Sequence, residues 1–251
     1  MDDKQSTLSG SLDVIAGRNA VLEALKSGRP VDCLLVSKGI QMGQIGKQIS
    51  LCKERGIIIK EVSPIKLDTL CPAVAHQGIA IQIAAREYSS VEDILEIARQ
   101  KGEPPFIIIA DSLEDPHNLG AVIRSAEAAG AHGVIIPARN SVGLTATVAK
   151  ASSGAIENIA IAKVTNINST LEILKKAGVW TYCADMDGKP YYQTDLTGPV
   201  ALIIGSEGQG VSRLIKENCD FVISIPMHGK ANSLNASVAA GIILFEIAKK
   251  R

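Results

Sequence analysis

Arg124, Glu207, Asn118, Ser233 and Asn235 are the residues whose types and settings suit chemistry on a polar substrate. Each follows a run of apolar residues that reads as a buried strand. The first stretch, residues 106–130, is FIIIADSLEDPHNLGAVIRSAEAAG. Asn118 there is a candidate helix N-cap, because its oxygen can accept a free backbone N–H. Leu119, Val122, Ile123 and Ala126 make an apolar stripe, and Arg124 lies off it. A guanidinium presents five donors and a fixed positive charge, which suits an anionic ligand. The plainer reading pairs Arg124 with Glu127 on an exposed helix face. The second stretch, residues 199–220, is PVALIIGSEGQGVSRLIKENCD. Gly205, Gly208 and Gly210 let a backbone approach a ligand closely. Glu207 can bind a hydroxyl or an amine, or favour the positive end of the next helix. The third, residues 221–250, carries IPMHGKANSLNAS before an apolar helix, with Ser233 and Asn235 both possible caps.

The glycine spacing GxxGxG is not the GxGxxG of dinucleotide sites, and neither GxxxxGK[ST] nor GxSxG occurs. A dehydrogenase, a P-loop enzyme and a hydrolase elbow are therefore poorly supported. The five cysteines, Cys33, Cys52, Cys71, Cys183 and Cys219, form no CxxC pair, so they read as small buried hydrophobes. His76, His117, His132 and His228 form no metal-ligand pattern, and no metal is expected. Lys+Arg and Asp+Glu number 26 each, which excludes a bulk polycation but allows a local basic patch. Aromatics are only 3%, too few for extensive base-stacking platforms. No apolar run approaches the ~18 residues of a membrane span, and the acidic, polar start is no secretory signal.

The elements that must position these residues alternate as α/β. Residues 1–12 read as a flexible tail. Helices are predicted over Asn19–Ser27, Gln41–Arg55 and Pro64–Leu70, and strands over Asp32–Val36, Ile57–Val62 and Gly78–Ala84. The polar REYSS, residues 86–90, reads as a linker before a helix over Val91–Gln100, and the linker region is drawn at 86–94. Domains are thus expected over 13–85 and 95–251. Residues 1–86 carry 11 Lys and Arg against 8 Asp and Glu, and residues 87–251 carry 15 against 18. That asymmetry is a weak pointer to a polyanion on the first domain, of no more weight than chance. In the second, strands are predicted over Phe106–Ala110, Gly133–Pro137, Glu157–Val164, Val179–Ala184, Val200–Ile204 and Phe221–Pro226. Helices are predicted over Leu119–Ala129, Ser169–Ala177, Gln209–Asn218 and Leu234–Lys249. Unalternating apolar strands with intervening helices favour a mostly parallel sheet covered on both faces. Ligands of such sheets sit beyond the carboxyl ends of strands, where all three polar loops fall.

Taken in order, Asn118…Arg124, IIGSEGQG and IPMHGKANSLNAS resemble the three motifs of the SPOUT-class RNA 2′-O-ribose methyltransferases, most closely the TrmH (SpoU) family. The resemblance covers roughly residues 105–248. IAGRNAVLEAL at 15–25 and AHQGIAI at 75–81 resemble the ends of the ribosomal-protein L30e-like RNA-binding domain of longer members. This two-domain layout looks most like the subgroup that methylates a guanosine of large-subunit (23S) rRNA. The resemblance implies a SPOUT domain with a deep trefoil knot. It implies S-adenosyl-L-methionine held by Gly205, Ile225 and Leu234 with Ser233 and Glu207 beside it. It implies Arg124 as the catalytic arginine, either taking the ribose proton or staying charged to anchor a phosphate. Asn118, Glu207, Ser233 and Asn235 match the remaining motif positions. Arg18 and Asn19 are candidate RNA contacts, with ordinary helix-start chemistry as their equal alternative. A cytoplasmic homodimer acting on ribosomal RNA, without a membrane, is the expectation. Transfer RNA as substrate, or a non-catalytic RNA-binding or assembly factor on the same scaffold, are the alternatives.

Overall fold

The computed structural model describes residues 14–72, 74–230 and 232–251. The expected tail at 1–12 lies outside them. The chain divides into two compact units, one of Met1–Glu87 with Leu144–Ala146 and one of Tyr88–Gly143 with Thr147–Arg251. Among the described residues the strands form one sheet of four and one of six.

The first unit runs β1 (Val14–Ala16), α1 (Arg18–Lys26), β2 (Val31–Ser37), α2 (Gly46–Glu54), β3 (Ile58–Val62), α3 (Pro64–Leu70) and β4 (Ile79–Ile83). Its sheet order is β1-β4-β2-β3, with β2 and β3 parallel and the β4 pairings antiparallel. Alternation along β2 explains its two cores. Leu34 and Val36 pack with Val21 and Leu25 of α1 and Cys52 of α2. Cys33 and Leu35 pack with Leu67 of α3. The predicted helix over Gln41–Arg55 is instead a 3-10 turn over Met42–Ile45 followed by α2. Gly43 and Gly46 fall at that break, and glycine weakens a helix interior.

The second unit runs α4 (Val91–Lys101), β5 (Phe106–Ala110), α5 (Pro116–Ala128), β6 (Gly133–Pro137), α6 (Ala146–Ala151), β7 (Ala160–Val164), α7 (Ile167–Lys176), β8 (Trp180–Pro190), β9 (Val200–Ile204), α8 (Arg213–Asn218), β10 (Phe221–Ser224) and α9 (Ala236–Lys249). Ser90 and Asp93 close a reciprocal capping box at the start of α4. Val91 and Ile94, inside the span assigned to the linker, are buried in this unit's core. The sheet order is β10-β8-β9-β5-β6-β7 and every pairing is parallel. Every residue of β5 and β9 is buried, which is why FIIIA and VALII show no polar alternation. One face carries Ile107, Ile109, Ile135 and Ile203 against residues of α4, α7 and α8. Helices α5 and α9 pack on each other, α5 meeting β5 and β6 and α9 meeting β9.

Several predicted bounds move, among them the following three. Asn118 is not the N-cap of α5. Asp115 is, accepting from the His117 N–H at 2.8 Å, and Pro116 opens the helix where its missing N–H costs nothing. The strand drawn from Glu157 begins at Ala160, because Ala155–Glu157 is a 3-10 turn. The helix drawn from Gln209 begins at Arg213, because the glycine loop before it folds back on itself. No helix among the described residues is long and apolar enough to cross a membrane.

Candidate active site

The three polar loops meet beyond the carboxyl ends of β5, β9 and β10. Gly205 follows β9 and opens a loop in which the Gly210 N–H bonds the Ser206 carbonyl at 2.9 Å. Only glycine fits position 205: a Cβ there would stand 2.1 Å from the Gly210 carbonyl carbon and 2.2 Å from the Val211 nitrogen. Asp111, buried just after β5, anchors the far end of this loop. Its carboxylate accepts from the Ser212 N–H at 3.3 Å and from the Ser112 hydroxyl at 3.0 Å.

Three side chains, from the first turn of α5, the loop after β9 and the N-cap of α9, then bond to one another. The Asn118 amide donates to Glu207 Oε1 at 3.0 Å, and the Asn235 amide donates to Asn118 Oδ1 at 2.9 Å. The Asn235 amide also donates to Glu207 Oε1. Asn235 is the N-cap of α9, its Oδ1 accepting from the N–H groups of Ser237 at 2.9 Å and Val238 at 3.3 Å. Capping therefore fixes one end of Asn235 and turns the other toward the triad. Asn118 gains its reach because it sits in the first turn of α5 rather than before it.

Beside the triad lies a cavity of about 420 Å³. Gly205, Glu207, Ile225, Ser233 and Leu234 all line it. Asn118, Asn235 and Arg124 do not. Arg124 is exposed on α5, and its Nη1 donates to Ser153 Oγ at 3.2 Å, not to Glu127 as the helix spacing suggested. In the first unit, at the start of α1, Arg18 is half-buried and Asn19 exposed. The Arg18 guanidinium donates to Gln44 Oε1 at 2.6 Å and to the Gln77 carbonyl at 3.4 Å.

The sequence reading missed one wall of the cavity, formed by Asp185, Met186 and Asp187. Strand β8 pairs with β10 at Cys183↔Val222 and again at Lys189↔Ile223, so the residues between are looped out of register. Gly188 permits the excursion, since a Cβ there would fall 2.5 Å from the Ile223 carbonyl carbon. Ser224 secures it by donating to the Gly188 carbonyl at 2.8 Å. Lys216 of α8 bridges Asp185 at 2.8 Å and Asp187 at 3.1 Å. Partial burial pushes the Asp185 carboxyl up, but Lys216 and the backbone N–H groups of Asp187 and Met186 outweigh it and hold it below the usual range. The cavity thus has apolar walls, an exposed glycine backbone and anionic side chains, a lining suited to a cationic ligand with an apolar body.

Two family models match the chain. The SpoU rRNA Methylase family model matches residues 105–245, and the model for RNA 2′-O ribose methyltransferase substrate binding matches residues 14–89. A Bacillus subtilis (strain 168) relative, named for the TrmH family of tRNA/rRNA methyltransferases, is 48% identical over 97% of this chain and 98% of its own. The solved structure of an AdoMet-bound rRNA methyltransferase from Sinorhizobium meliloti superposes with a TM-score of 0.58. It is 26% identical and covers 94% of this chain and 87% of that one. The SpoU methyltransferase AviRb of Streptomyces viridochromogenes, solved with AdoMet, also gives 0.58 and 26% identity, over 94% of this chain and 89% of that one. A family match over more than half the chain and near-complete coverage of a 48% identical relative lead to one conclusion: the chain belongs to the SpoU (TrmH) family of RNA methyltransferases.

Proposed function

We propose that the protein transfers the methyl group of S-adenosyl-L-methionine to a ribose 2′-hydroxyl of RNA, at a guanosine of 23S rRNA. The observation that carries this reading is the convergence of Asn118, Glu207 and Asn235, from three distant segments of the chain, at the edge of the 420 Å³ cavity. The cofactor fits the residues present. The volume lies within the roughly 300–1,000 Å³ of small-molecule sites. The bare backbone at Gly205 can pair with a heterocycle edge, Ile225 and Leu234 can cover its faces, and Glu207 and Asp185 suit its positive charge. Ser233 and Glu207 are assigned to the side facing the substrate. When bound, the cofactor supplies an electrophilic methyl group already activated by a positive sulfur.

The chain's own contribution is binding, orientation and electrostatics. The Asn118–Glu207–Asn235 triad fixes the start of α5, the loop after β9 and the start of α9 against one another, so that the sugar meets a preorganised surface. A guanidinium stays charged at neutral pH, more so beside a phosphate. Arg124 is therefore assigned to anchor the target phosphate and to stabilise the negative charge developing on the 2′-oxygen. The first unit is assigned to RNA binding, with Arg18 and Asn19 as contacts; its match to a substrate-binding family supports this. The trefoil threading implied by the resemblance belongs to the same reading. So do a cytoplasmic location and a homodimer, the latter favoured by the exposed apolar side chains of Val238 and Phe245 on α9.

The test is ribose-methylation mapping after reaction of the full chain with 23S rRNA and transfer-RNA transcripts. A single methylated guanosine in 23S rRNA, lost in Arg124→Ala while calorimetric binding of S-adenosylmethionine persists, is the expected result. Methylation confined to transfer RNA refutes the target. Near-normal turnover by Arg124→Ala refutes the role of that residue.

A further inference from the structure

Ser153 has φ 51°, in the left-handed region that residues other than Gly, Asn and Asp seldom occupy. The turn that imposes this is fixed from both sides. Before it, the fully buried Ser152 donates its hydroxyl to the Ala149 carbonyl at 2.8 Å and its N–H to the Val148 carbonyl at 2.9 Å. After it, the Ala155 N–H bonds the Ser152 carbonyl at 3.0 Å. The turn is also locked to the helix that bears Arg124. A Cβ at Gly120 of α5 would stand 2.4 Å from Ala151 Cβ and 2.9 Å from the Val148 carbonyl oxygen, so α5 and α6 meet backbone to backbone.

Nothing in the packing asks for serine at 153, because the residue is exposed. Glycine would satisfy the backbone without strain. What serine adds is a hydroxyl, and that hydroxyl accepts from Arg124 Nη1 at 3.2 Å. A strained backbone bearing an exposed side chain whose hydrogen bond goes to the proposed substrate-binding group is the pattern in which strain is retained for function.

We infer that Ser153 is a positioning residue: it holds the Arg124 guanidinium by Nη1 and leaves its other donors directed at the phosphate of the target nucleotide. This rests on the reading of Arg124 as the substrate anchor. An exposed arginine otherwise spreads over many rotamers, and misplacement of a charge-stabilising group lowers turnover. The hydroxyl acts on the rate, not on the cofactor cavity, which neither residue lines.

The experiment uses the full chain, tritiated S-adenosylmethionine and whichever RNA transcript the unaltered protein methylates. Ser153→Gly, Ser153→Asn and Arg124→Ala are compared by kcat, by KM for the cofactor and by melting temperature. Ser153→Gly removes strain and acceptor together. Its kcat is expected to fall about tenfold, with cofactor KM within about twofold and melting little changed, because lost strain and the looser unfolded chain oppose each other. Asparagine tolerates the left-handed region and returns an acceptor, so Ser153→Asn is expected to recover most of the rate. Wild-type kcat in Ser153→Gly, or equal loss in Ser153→Gly and Ser153→Asn, with Arg124→Ala inactive, overturns the inference alone. An active Arg124→Ala overturns the anchor reading as well.

Discussion

Gly205→Ala tests the site at its tightest point. The added methyl would meet the Gly210 carbonyl carbon at 2.1 Å, the Val211 nitrogen at 2.2 Å and the Gly210 oxygen at 2.3 Å. All three are backbone atoms, so no side chain can swing away. Relief requires the loop to open by an ångström or more, breaking the Gly210 N–H to Ser206 carbonyl bond. Overpacking of this kind costs about 1–3 kcal/mol, and three simultaneous backbone overlaps place it at the upper end. For a chain of this size that corresponds to a fall in melting temperature of roughly 5–10 °C. Gly208→Ala is the matched control. It sits in the same loop with φ 96° and nothing within 4 Å, so it carries only the left-handed strain of about 1–2 kcal/mol. The assay is thermal unfolding followed by calorimetry with S-adenosylmethionine. Gly205→Ala is expected to melt below Gly208→Ala and to bind the cofactor at least tenfold more weakly, ~1.4 kcal/mol. If Gly205→Ala matches its control in both measurements, the close approach at Gly205 does not shape the cavity and the reasoning fails.

Asn235→Asp replaces the amide that donates to Glu207 and Asn118 with a carboxylate facing Glu207. Two carboxylates sharing one site raise one of their pKa values. Methyl transfer is expected to drop at least tenfold at pH 8 and to recover partly as pH falls toward 5; a flat pH profile relative to the unaltered chain counts against the triad. His132, buried beside β5, accepts from the Phe106 N–H at 3.0 Å, and burial, ahead of the nearby Lys101 and Arg251, holds its pKa below the ordinary value. With the folded pKa depressed, its contribution is fully present above the unfolded value of about 6.5 and is lost as pH falls below it. Asp185 and Asp220, both held below the usual carboxylate range, add a later loss below about pH 3.9. The melting temperature is expected to decline below pH ~6.5 and His132→Gln to flatten that first part; superimposable profiles reject the assignment.

Much of the second unit is written in its strands. FIIIA and VALII announce burial on both faces, and the stripe Leu119, Val122, Ile123 and Ala126 is fully buried as its spacing requires. What local pattern could not give were decisions made between distant segments. Asn118 passed for a cap because its type suits one, yet Asp115 before Pro116 takes that place. The Asp185–Asp187 wall carries no periodicity, since it exists only where β8 leaves its register with β10. Arg124 bonds a residue 29 positions away rather than its helical neighbour. The triad joins residues 89 and 117 positions apart, and only family resemblance, not composition or period, grouped these three side chains in the sequence.

The middle of the six-stranded sheet has a kinetic consequence. Strand β5 is flanked by β6, which follows it closely, and by β9, which is synthesised only after β7 and β8. Closing so distant a parallel pair is slow. Until Val200–Ile204 arrives, Phe106–Ala110 offers five consecutive apolar residues along an unpaired edge. Such an edge is a template for pairing with another chain. Misassembly during refolding is therefore expected to begin at that strand, and a fragment ending after β7 to aggregate where the intact chain does not.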